Sequence, residues 1–358
     1  MKRATPTWVL LVALLGELAG GRPAEAQSRQ PIAQSHDEWR EGISKTPVPR
    51  RGCFESSYPS AEWHEVVCVT APVRRDRAPP HAGLTEVVGS GTDFFAVSSS
   101  GNIVMAVGSF PVLMGVVSES DTATSCGGTG WPNQYSLQIN TGRFITSACN
   151  GALDSSICRG WEQFAYRTYG TEWYEGWLWI EFWLLYYDNP CPSGFSPSGR
   201  HCVADSVGTL VAGQPVTNLG ILSLTGAASS TVDTVILSVG TQRASAVGYD
   251  SPLNLAGAWS SAEFNVFGYG GASCANFNSG STIEVDLQLV DGTTFPPGCP
   301  GNPTTTGETN NLTLVGACCP FGGTALPGIK FTESNSSGAS AQFCLTTETV
   351  PIMAIVLH

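Results

Sequence analysis

The side chains of this chain that are best suited to chemistry are carboxylates and amides set among tryptophans. Five of its ten tryptophans fall between Trp161 and Trp183, and Glu181 lies within that stretch. If the segment Trp177–Tyr187 is a β-strand, Glu181 shares one face with three indoles. A carboxylate in such surroundings is unfavourable unless it is paired, protonated or open to a groove. We therefore expect a functional site at this segment.

Two further segments carry a polar side chain inside an apolar strand pattern. In the run Gly160–Tyr166, Gln163 precedes Glu181 by 18 residues. In the run Trp259–Phe267, Glu263 follows Glu181 by 82 residues. A carboxylate can act as a general base, and an amide keeps its donor and acceptor at any pH. Together they suit hydrolysis in acid.

Other catalytic chemistries have little support in the sequence. The chain has five histidines, none of which forms an HExxH motif or lies in the tryptophan-rich region. A zinc peptidase and Ser-His-Asp or Cys-His catalysis are therefore improbable. The sequence contains no CxxC pair, P-loop or dinucleotide fingerprint, so we expect no metal and no cofactor.

The N-terminus has the pattern of a secretion signal. Lys2 and Arg3 precede the apolar run Trp8–Leu15, and Ala-Glu-Ala at residues 24–26 is a small-x-small cleavage motif. Residues 1–26 are thus predicted to be a signal peptide. The apolar run is too short to span a membrane, so a secreted, extracellular protein is expected.

The twelve cysteines agree with export, because an even count in an oxidising compartment predicts up to six disulfides. Proximity in the sequence suggests the pairs Cys53–Cys68, Cys149–Cys158 and Cys191–Cys202. The pairing of the other six cysteines is left open.

The charge of the chain is unevenly distributed. Residues 1–77 carry 11 Lys+Arg against 9 Asp+Glu, whereas residues 78–358 carry 6 against 20. This acidic body argues against a nucleic-acid partner, whose phosphates require a positive patch, and against an anionic membrane surface. A low basic content is common in proteins that work in acid, although solubility alone explains it equally well.

The chain divides into an N-terminal segment and a β-rich body. Residues 27 to about 50 are polar without periodicity and are expected to be disordered. Residues 27–80 are predicted to be either a pro-segment or, slightly favoured, an N-terminal strap on the main domain. Residues 81–358 are predicted to form one β-sandwich domain with a C-terminal extension after about residue 292.

Short strands separated by Gly, Ser, Asn and Pro clusters predict an all-β fold without a helix longer than two turns. The fold class expected is a large antiparallel β-sandwich of the concanavalin or jelly-roll type, stabilised by disulfides. The candidate strands are Asp93–Val97, Ile103–Val107, Tyr135–Ile139, Glu162–Tyr166, Trp177–Tyr187, Gly220–Leu224, Thr234–Val239, Ala262–Phe267, Thr282–Leu289 and Asn311–Leu314.

The order of the three polar segments resembles that of the glutamic peptidases called eqolisins. An Ala-Glu-aromatic strand at Ala262–Phe264 lies well downstream of the Trp-Ile-Glu-Phe-Trp strand around Glu181, which a strand bearing Gln163 precedes. The likeness covers about residues 130–290 and extends loosely to neprosin-type peptidases, which use two glutamates. In eqolisins, the strand that corresponds to the one around Glu181 reads like Tyr-Glu-Trp-Tyr. A Trp occupies the position that corresponds to Phe264. The resemblance implies a secreted, acid-active β-sandwich.

Carried over to this chain, the resemblance implies a role for each polar residue. Glu263 is the general base that activates water, and Gln163 holds that water and donates to the oxyanion. Glu181 supports the pair. Gln138 is an alternative to Gln163 as the catalytic amide, but the spacing between Gln163 and Glu181 favours Gln163. The side chains expected to line subsites for an extended peptide are Tyr166, Trp179 and Trp183.

Other functions remain open from the sequence. Trp179 and Trp183 could stack on sugars in a lectin-like, carbohydrate-binding sandwich. Glu181 and Glu263 could hydrolyse glycosides, which requires carboxyl groups about 5 or 6.5–9.5 Å apart. The tryptophans could equally be core residues of a structural protein, with Glu181 as a buried, hydrogen-bonded carboxylate. The expected partner is a polypeptide substrate, or a glycan in the alternative, and a monomer is expected.

Overall fold

The polar segments lie in a protein built almost wholly from antiparallel strands. In the part of the chain described, no helix is long and apolar enough to cross a membrane. The predicted signal peptide and the end of the C-terminal extension lie outside the described residues. The computed structural model describes residues 35–44, 46–72, 93–122, 126, 130–169, 175–270, 273–301, 308–323 and 326–336.

The first sheet forms one wall of the core. Its strands, in spatial order, are β2 (His64–Val66), β1 (Gly52–Ser57), β16 (Gln242–Tyr249), β15 (Val232–Val239), β14 (Leu222–Ala228), β5 (Met105–Met114), β19 (Thr282–Val290), β22 (Gly328–Ser334) and β21 (Thr313–Phe321).

The second sheet forms the opposite wall and carries the polar segments. Its strands, in spatial order, are β11 (Ser196–Ser198), β12 (His201–Asp205), β10 (Glu175–Leu185), β9 (Arg159–Thr168), β8 (Tyr135–Thr141), β17 (Ser261–Gly268) and β4 (Ala96–Val97). Strand β13 (Val207–Ala212) pairs with the first half of β10 and with β3 (Val69–Thr70).

Smaller elements complete the described fold. A four-stranded sheet contains β20 (Thr309–Asn310), β18 (Cys274–Phe277), β6 (Glu119–Thr122) and β7 (Trp131–Pro132). The helical elements are α1 (His36–Ser44) and two 3-10 helices, Ser147–Gly151 and Val216–Ile221. The predicted all-β, disulfide-stabilised sandwich is confirmed.

The core lies between the two large sheets and is filled by alternate residues of their strands. Phe164 of β9 and Phe264 of β17 point into it, and the ring of Phe264 lies 4.9 Å from that of Phe110 of β5. Gly108 of β5 faces Phe264, since a Cβ on this glycine would stand 2.1 Å from the ring. Burying each such phenylalanine stabilises the fold by roughly 1.5–3 kcal/mol. The opposite faces of β9 and β17 therefore carry the polar residues.

The expected disorder of residues 27 to about 50 is wrong for the part that the structure describes. Helix α1 begins with a capping box, in which Ser35 N donates to Glu38 Oε2 over 2.8 Å and Glu38 N donates to Ser35 Oγ over 3.2 Å. Trp39 and Ile43, four residues apart, are both buried on one face of the helix. The Ser-x-x-Glu signal and this spacing are both visible in the sequence.

The segment that follows α1 hydrogen-bonds with both large sheets. Strand β1 pairs with β16 along its whole length, and β3 pairs with β13. The disulfide Cys53–Cys68 joins β1 to the residue before β3. Whether residues 27–80 are removed from the mature protein stays a prediction.

The three disulfides predicted from proximity are confirmed: Cys53–Cys68, Cys149–Cys158 and Cys191–Cys202. Two more pairs occur in the described residues. Cys126–Cys274 spans 148 residues, and Cys299–Cys318 spans 19. Sequence spacing could not identify the first of these, because the fold alone brings its ends together.

Candidate functional site

Four neighbouring strands, in the order β10, β9, β8 and β17, align the polar side chains. Glu181 lies opposite Gln163, Gln163 opposite Asn140, and Asn140 opposite Glu263. These four residues, which we call the polar row, place a carboxylate at each end and two amides between them. Because residues in register on neighbouring strands share a face, all four side chains leave the sheet on the side away from the core.

Hydrogen bonds join three members of the polar row. Gln163 Nε2 donates to Asn140 Oδ1 over 3.0 Å, and Asn140 Nδ2 donates to Glu263 Oε2 over 2.8 Å. Asn140 therefore bridges the two residues predicted to form a catalytic dyad, which sit two strands apart. A hydrogen bond to a carboxylate is among the stronger ones in proteins when the acceptor is ionised.

Trp183 connects the remaining member of the row. Its Nε1 donates to Gln163 Oε1 over 3.0 Å and lies 3.2 Å from Glu181 Oε2. The amide of Gln163 is thus held from both ends, by an indole on β10 and by Asn140 on β8. Glu181 and Gln163 thus contact the same indole N–H, and the supporting role of Glu181 stays a prediction.

Gln138 lies in the adjacent row of the same face. Its Oε1 accepts a hydrogen bond from Gln163 Nε2 at 2.9 Å, and its Nε2 donates to Ser136 Oγ at 2.9 Å and to the carboxylate of Glu308. Gln138 is therefore a neighbour of Gln163 and contacts the same amide. Glu308, just before β20, brings a further carboxylate to this face.

The polar row is buried: Glu263 and Asn140 have no exposed surface, and Glu181 and Gln163 are 2% and 3% exposed. Polar groups in such a position are costly without hydrogen bonds, which the amides of the row and Trp183 supply. Among the described residues, no group of three or more His, Cys, Asp or Glu side chains is arranged to hold a metal ion.

Aromatic side chains flank the polar row on both sides. Trp161 and Trp183 pack with ring centroids 6.1 Å apart on one side. On the other, the guanidinium of Arg167 lies 4.9 Å from the ring of Trp179 and 4.6 Å from that of Tyr269. The indole nitrogens of Trp161 and Trp179 are buried, and within the described residues neither has a hydrogen-bond partner.

Tyr166 does not lie with the other predicted substrate-binding residues, which corrects that expectation. It packs in the core, where its hydroxyl accepts a hydrogen bond from Gln214 N at 3.0 Å, and burial raises its pKa. The reason is the two-residue period of β9, which sends Gln163 and Arg167 to one face and Tyr166 to the other. Trp179 and Trp183 do lie on the face of the polar row.

A second group of carboxylates lies beneath the polar row, on the core side of the sheet. Glu162 of β9 is fully buried and faces Asp233 of β15 in the opposite sheet. Burial raises the pKa of Glu162 well above its usual value, and the charges of Asp233 and Asp250 raise it further. Burial likewise raises the pKa of Asp233 to about 8. Within the described part of the chain, no other side chain or backbone N–H donates to the four carboxyl oxygens of Glu162 and Asp233.

A third carboxylate pair adjoins Glu263 along β17. Asn265 Nδ2 lies 3.2 Å from Asp93 Oδ2 and 3.1 Å from Glu333 Oε2, and all three residues are fully buried. Burial raises the pKa of Glu333 well above its usual value, and the charge of Asp93 adds to this effect. Such pairs favour a protonated carboxyl group over a wide pH range.

The geometry bears on the alternative functions. Trp179 and Trp183 are 1% and 2% exposed, so neither presents an open face on which a sugar could stack. Glu181 and Glu263 are separated by three strand-to-strand steps. At about 4.8 Å a step, their backbones are about 14 Å apart. The amide side chains of Gln163 and Asn140 stand between these two glutamates in the row.

No protein-family model matches this sequence, and the curated proteins contain no match to it. The functional interpretation therefore depends on the polar row itself. Three residues that the structure brings to the site were not identified from the sequence: Asn140, Trp161 and Glu308. Asn140 could have been found, because an asparagine inside an otherwise apolar strand runs against β propensity.

Proposed function

We propose that this protein is a secreted, acid-active endopeptidase in which Glu263 and Gln163 activate water for attack on peptide bonds. The observation that carries the proposal is the register of the polar row, with Gln163 and Glu263 on one face, two strands apart and joined through Asn140. Their backbones are about 10 Å apart, and the side chain of Asn140 stands between them.

The reaction follows from the chemistry of these two side chains. The carboxylate of Glu263 takes a proton from water while the water oxygen bonds to the carbonyl carbon. Gln163 Nε2 donates to the oxyanion that forms. Glu263 then returns the proton to the leaving nitrogen as the C–N bond breaks. Since Nε2 now donates to Gln138 and Asn140, substrate must displace one of these contacts.

The surroundings of the pair support this assignment. Trp183 holds the carbonyl oxygen of Gln163, which directs Nε2 away from β10. The indole N–H groups of Trp161 and Trp179, which have no partner among the described residues, flank the row and can donate to backbone carbonyls of an extended peptide. Because the row is buried, substrate can enter only if the side chains that cover it move apart. One of these is Glu308, whose carboxylate accepts a hydrogen bond from Gln138 Nε2.

Secretion is part of the same proposal. Five disulfides in the described residues are typical of an oxidising compartment. The signal-like N-terminus and an acidic body with few basic residues suit an enzyme exported to work in acid.

The test is casein cleavage at acid pH by the wild-type protein and by Glu263→Gln. The substitution keeps the acceptor for Asn140 but removes the base, so we expect a loss of at least about 100-fold in kcat with little change in stability. Glu55→Gln is the matched control, because Glu55 is an exposed residue of β1 in the other sheet.

Full retention of cleavage in Glu263→Gln would overturn the proposal, as would a wild-type protein without peptidase activity. Glycan binding that persists in Glu263→Ala and is lost in Trp179→Ala would instead favour the carbohydrate-binding alternative.

A further inference from the structure

We infer that Asn140 is a positioning residue of this site, which orients Gln163 and Glu263 through the two ends of one amide. The inference rests on the proposed function and adds to it a third residue that the chemistry requires.

The contacts of Asn140 differ from those of any other side chain in the site. Its Oδ1 accepts from Gln163 Nε2 at 3.0 Å, and its Nδ2 donates to Glu263 Oε2 at 2.8 Å. Both contacts use the polarity that the partner requires, because a carboxylate only accepts and Nε2 of an amide only donates. One side chain thus fixes the orientation of the general base and of the oxyanion donor together.

The spacing of the strands makes such a bridge necessary. Gln163 and Glu263 lie two strand steps apart, with about 10 Å between their backbones. They have no strand contact with each other, so their relative orientation depends on what stands between them. Asn140 is the in-register residue of the intervening strand β8, and misplacement of a reacting group by about 1 Å can cost about 100-fold in rate.

Stability alone does not account for an asparagine at this position. Strand β8 lies in the middle of the sheet, and each of its residues Tyr135–Thr141 is buried. Asparagine is depleted in strands, and its buried amide must be desolvated. Residues whose intrinsic propensity opposes the local secondary structure in this way are expected at functional sites.

Gln138, the other buried amide of β8, does not have the same geometry. It contacts Gln163 and Glu308 but lies in register with Asn265, one row away from Glu263. Asn140 is therefore the residue that connects both halves of the proposed dyad.

The substitution Asn140→Asp tests the inference because it makes the donor dependent on pH. The aspartate keeps an acceptor for Gln163, but it can donate to Glu263 only while it is protonated. Its normal pKa is about 4, and the neighbouring carboxylate raises it. We expect Asn140→Asp to cleave peptide within about threefold of the wild-type kcat near pH 3 and to lose at least about tenfold by about pH 6, relative to wild type at each pH.

Asn140→Ala removes both contacts at every pH, and we expect it to lose at least about tenfold in kcat with little change in KM. Asn265→Ala is the matched control for stability, since Asn265 is equally buried on the same face and its amide donates to Asp93 and Glu333. The kcat of Asn140→Ala should fall below that of Asn265→Ala by about tenfold when both are measured well below their unfolding temperatures.

Wild-type kcat in both Asn140 variants, while Glu263→Gln is inactive, would overturn this inference and leave the proposed function standing. An equal loss in Asn140→Asp and Asn140→Ala at all pH values would also overturn it, because a merely structural role gives no rescue by protonation. A wild-type protein without peptidase activity would overturn the proposed function and this inference together.

Discussion

At the scale of single residues, the site is a network of amides and indoles that holds carboxylates without a cation in the row. Gln163 is fixed at both ends, by Trp183 at its oxygen and by Asn140 and Gln138 at its nitrogen. An amide does not titrate, so this arrangement keeps its geometry in acid, where a carboxylate partner would protonate. The same hydrogen bonds that satisfy the buried amide of Gln163 also determine which of its atoms faces a substrate.

The indole N–H groups of Trp161 and Trp179 give a prediction at this scale. Each is a buried donor without a partner in the described residues, and a peptide carbonyl would satisfy it. We expect Trp161→Phe and Trp179→Phe each to raise KM for a long peptide by roughly 5- to 10-fold, equivalent to about 1–1.4 kcal/mol, with a smaller change in kcat. Steady-state kinetics at acid pH provide the measurement.

Trp39→Phe is the control for these two substitutions. Trp39 is equally buried, but it lies on helix α1 and its indole N–H already donates to Ser60 O at 2.7 Å. A KM that rises as much in Trp39→Phe as in the other two variants would show that lost packing, not a lost donor, causes the effect.

At the scale of elements, strand periodicity carried most of the site prediction. The alternation of Trp177–Tyr187 placed Glu181, Trp179 and Trp183 on one face correctly, but the strand ends at Leu185, because Tyr186 has a φ of 55°. The same two-residue period places Tyr166 on the core face. The expectation that Tyr166 binds substrate with Trp179 and Trp183 did not take this period into account.

What the sequence could not supply at this scale was the order of the strands. Strand β8 precedes β9 by 17 residues, whereas β17 follows β10 by 75, yet β8 lies between β9 and β17. Pairing of distant segments depends on the whole sheet and leaves no local pattern. Asn140 was consequently not identified from the sequence.

The disulfide Cys53–Cys68 gives a prediction at the scale of elements. It closes β1 against the residue before β3, and these strands join different sheets. Replacing both cysteines with serine should lower the free energy of unfolding by about 3 kcal/mol, the loop-entropy value for a separation of 15 residues. Urea unfolding measures the change.

The pair Cys191–Cys202 is the comparison, since it closes a loop of similar separation, 11 residues, beside the hairpin β11–β12 of one sheet. Loop entropy alone predicts nearly equal losses for the two double variants. A loss of less than about 1 kcal/mol for Cys53–Cys68 would show that residues 52–70 add little to the stability of the sandwich.

At the scale of the whole molecule, the fold buries several carboxyl groups next to one another. Glu162 and Asp233 meet between the sheets, and Asp93 and Glu333 meet beside β17. A shared proton is the simplest way to satisfy the oxygens of Glu162 and Asp233, for which the described residues provide no other donor. Because burial raises the pKa of Glu162, Asp233 and Glu333, these groups favour the folded state in acid.

The stability of the protein should therefore depend on pH with a definite sign. The unfolded carboxyl groups have pKa values of about 4, whereas burial raises the pKa of Asp233 to about 8 in the folded protein. Between these pH values the folded state holds protons that the unfolded state has released. The free energy of unfolding should thus be highest below about pH 4 and fall as pH rises toward 8, by up to about 1.4 kcal/mol per pH unit for each such proton.

Urea unfolding at several pH values measures this dependence. Glu162→Gln and Asp233→Asn should each flatten it, because an amide donates to the remaining carboxylate at any pH. Glu55→Gln, at an exposed position, should leave the slope unchanged. A wild-type stability that rises from pH 4 to pH 8 would contradict the assignment of shared protons to these buried pairs.

In the proposed reaction, Gln163 and Glu263 act as one unit across β8. The most direct measurement is kcat/KM on a peptide at acid pH for the wild type, Glu263→Gln, Gln163→Ala and the double variant. Residues that act as a unit give non-additive losses. We expect either single substitution to remove nearly as much activity as the double. Losses that multiply in the double variant, or cleavage that survives in it, would contradict the account.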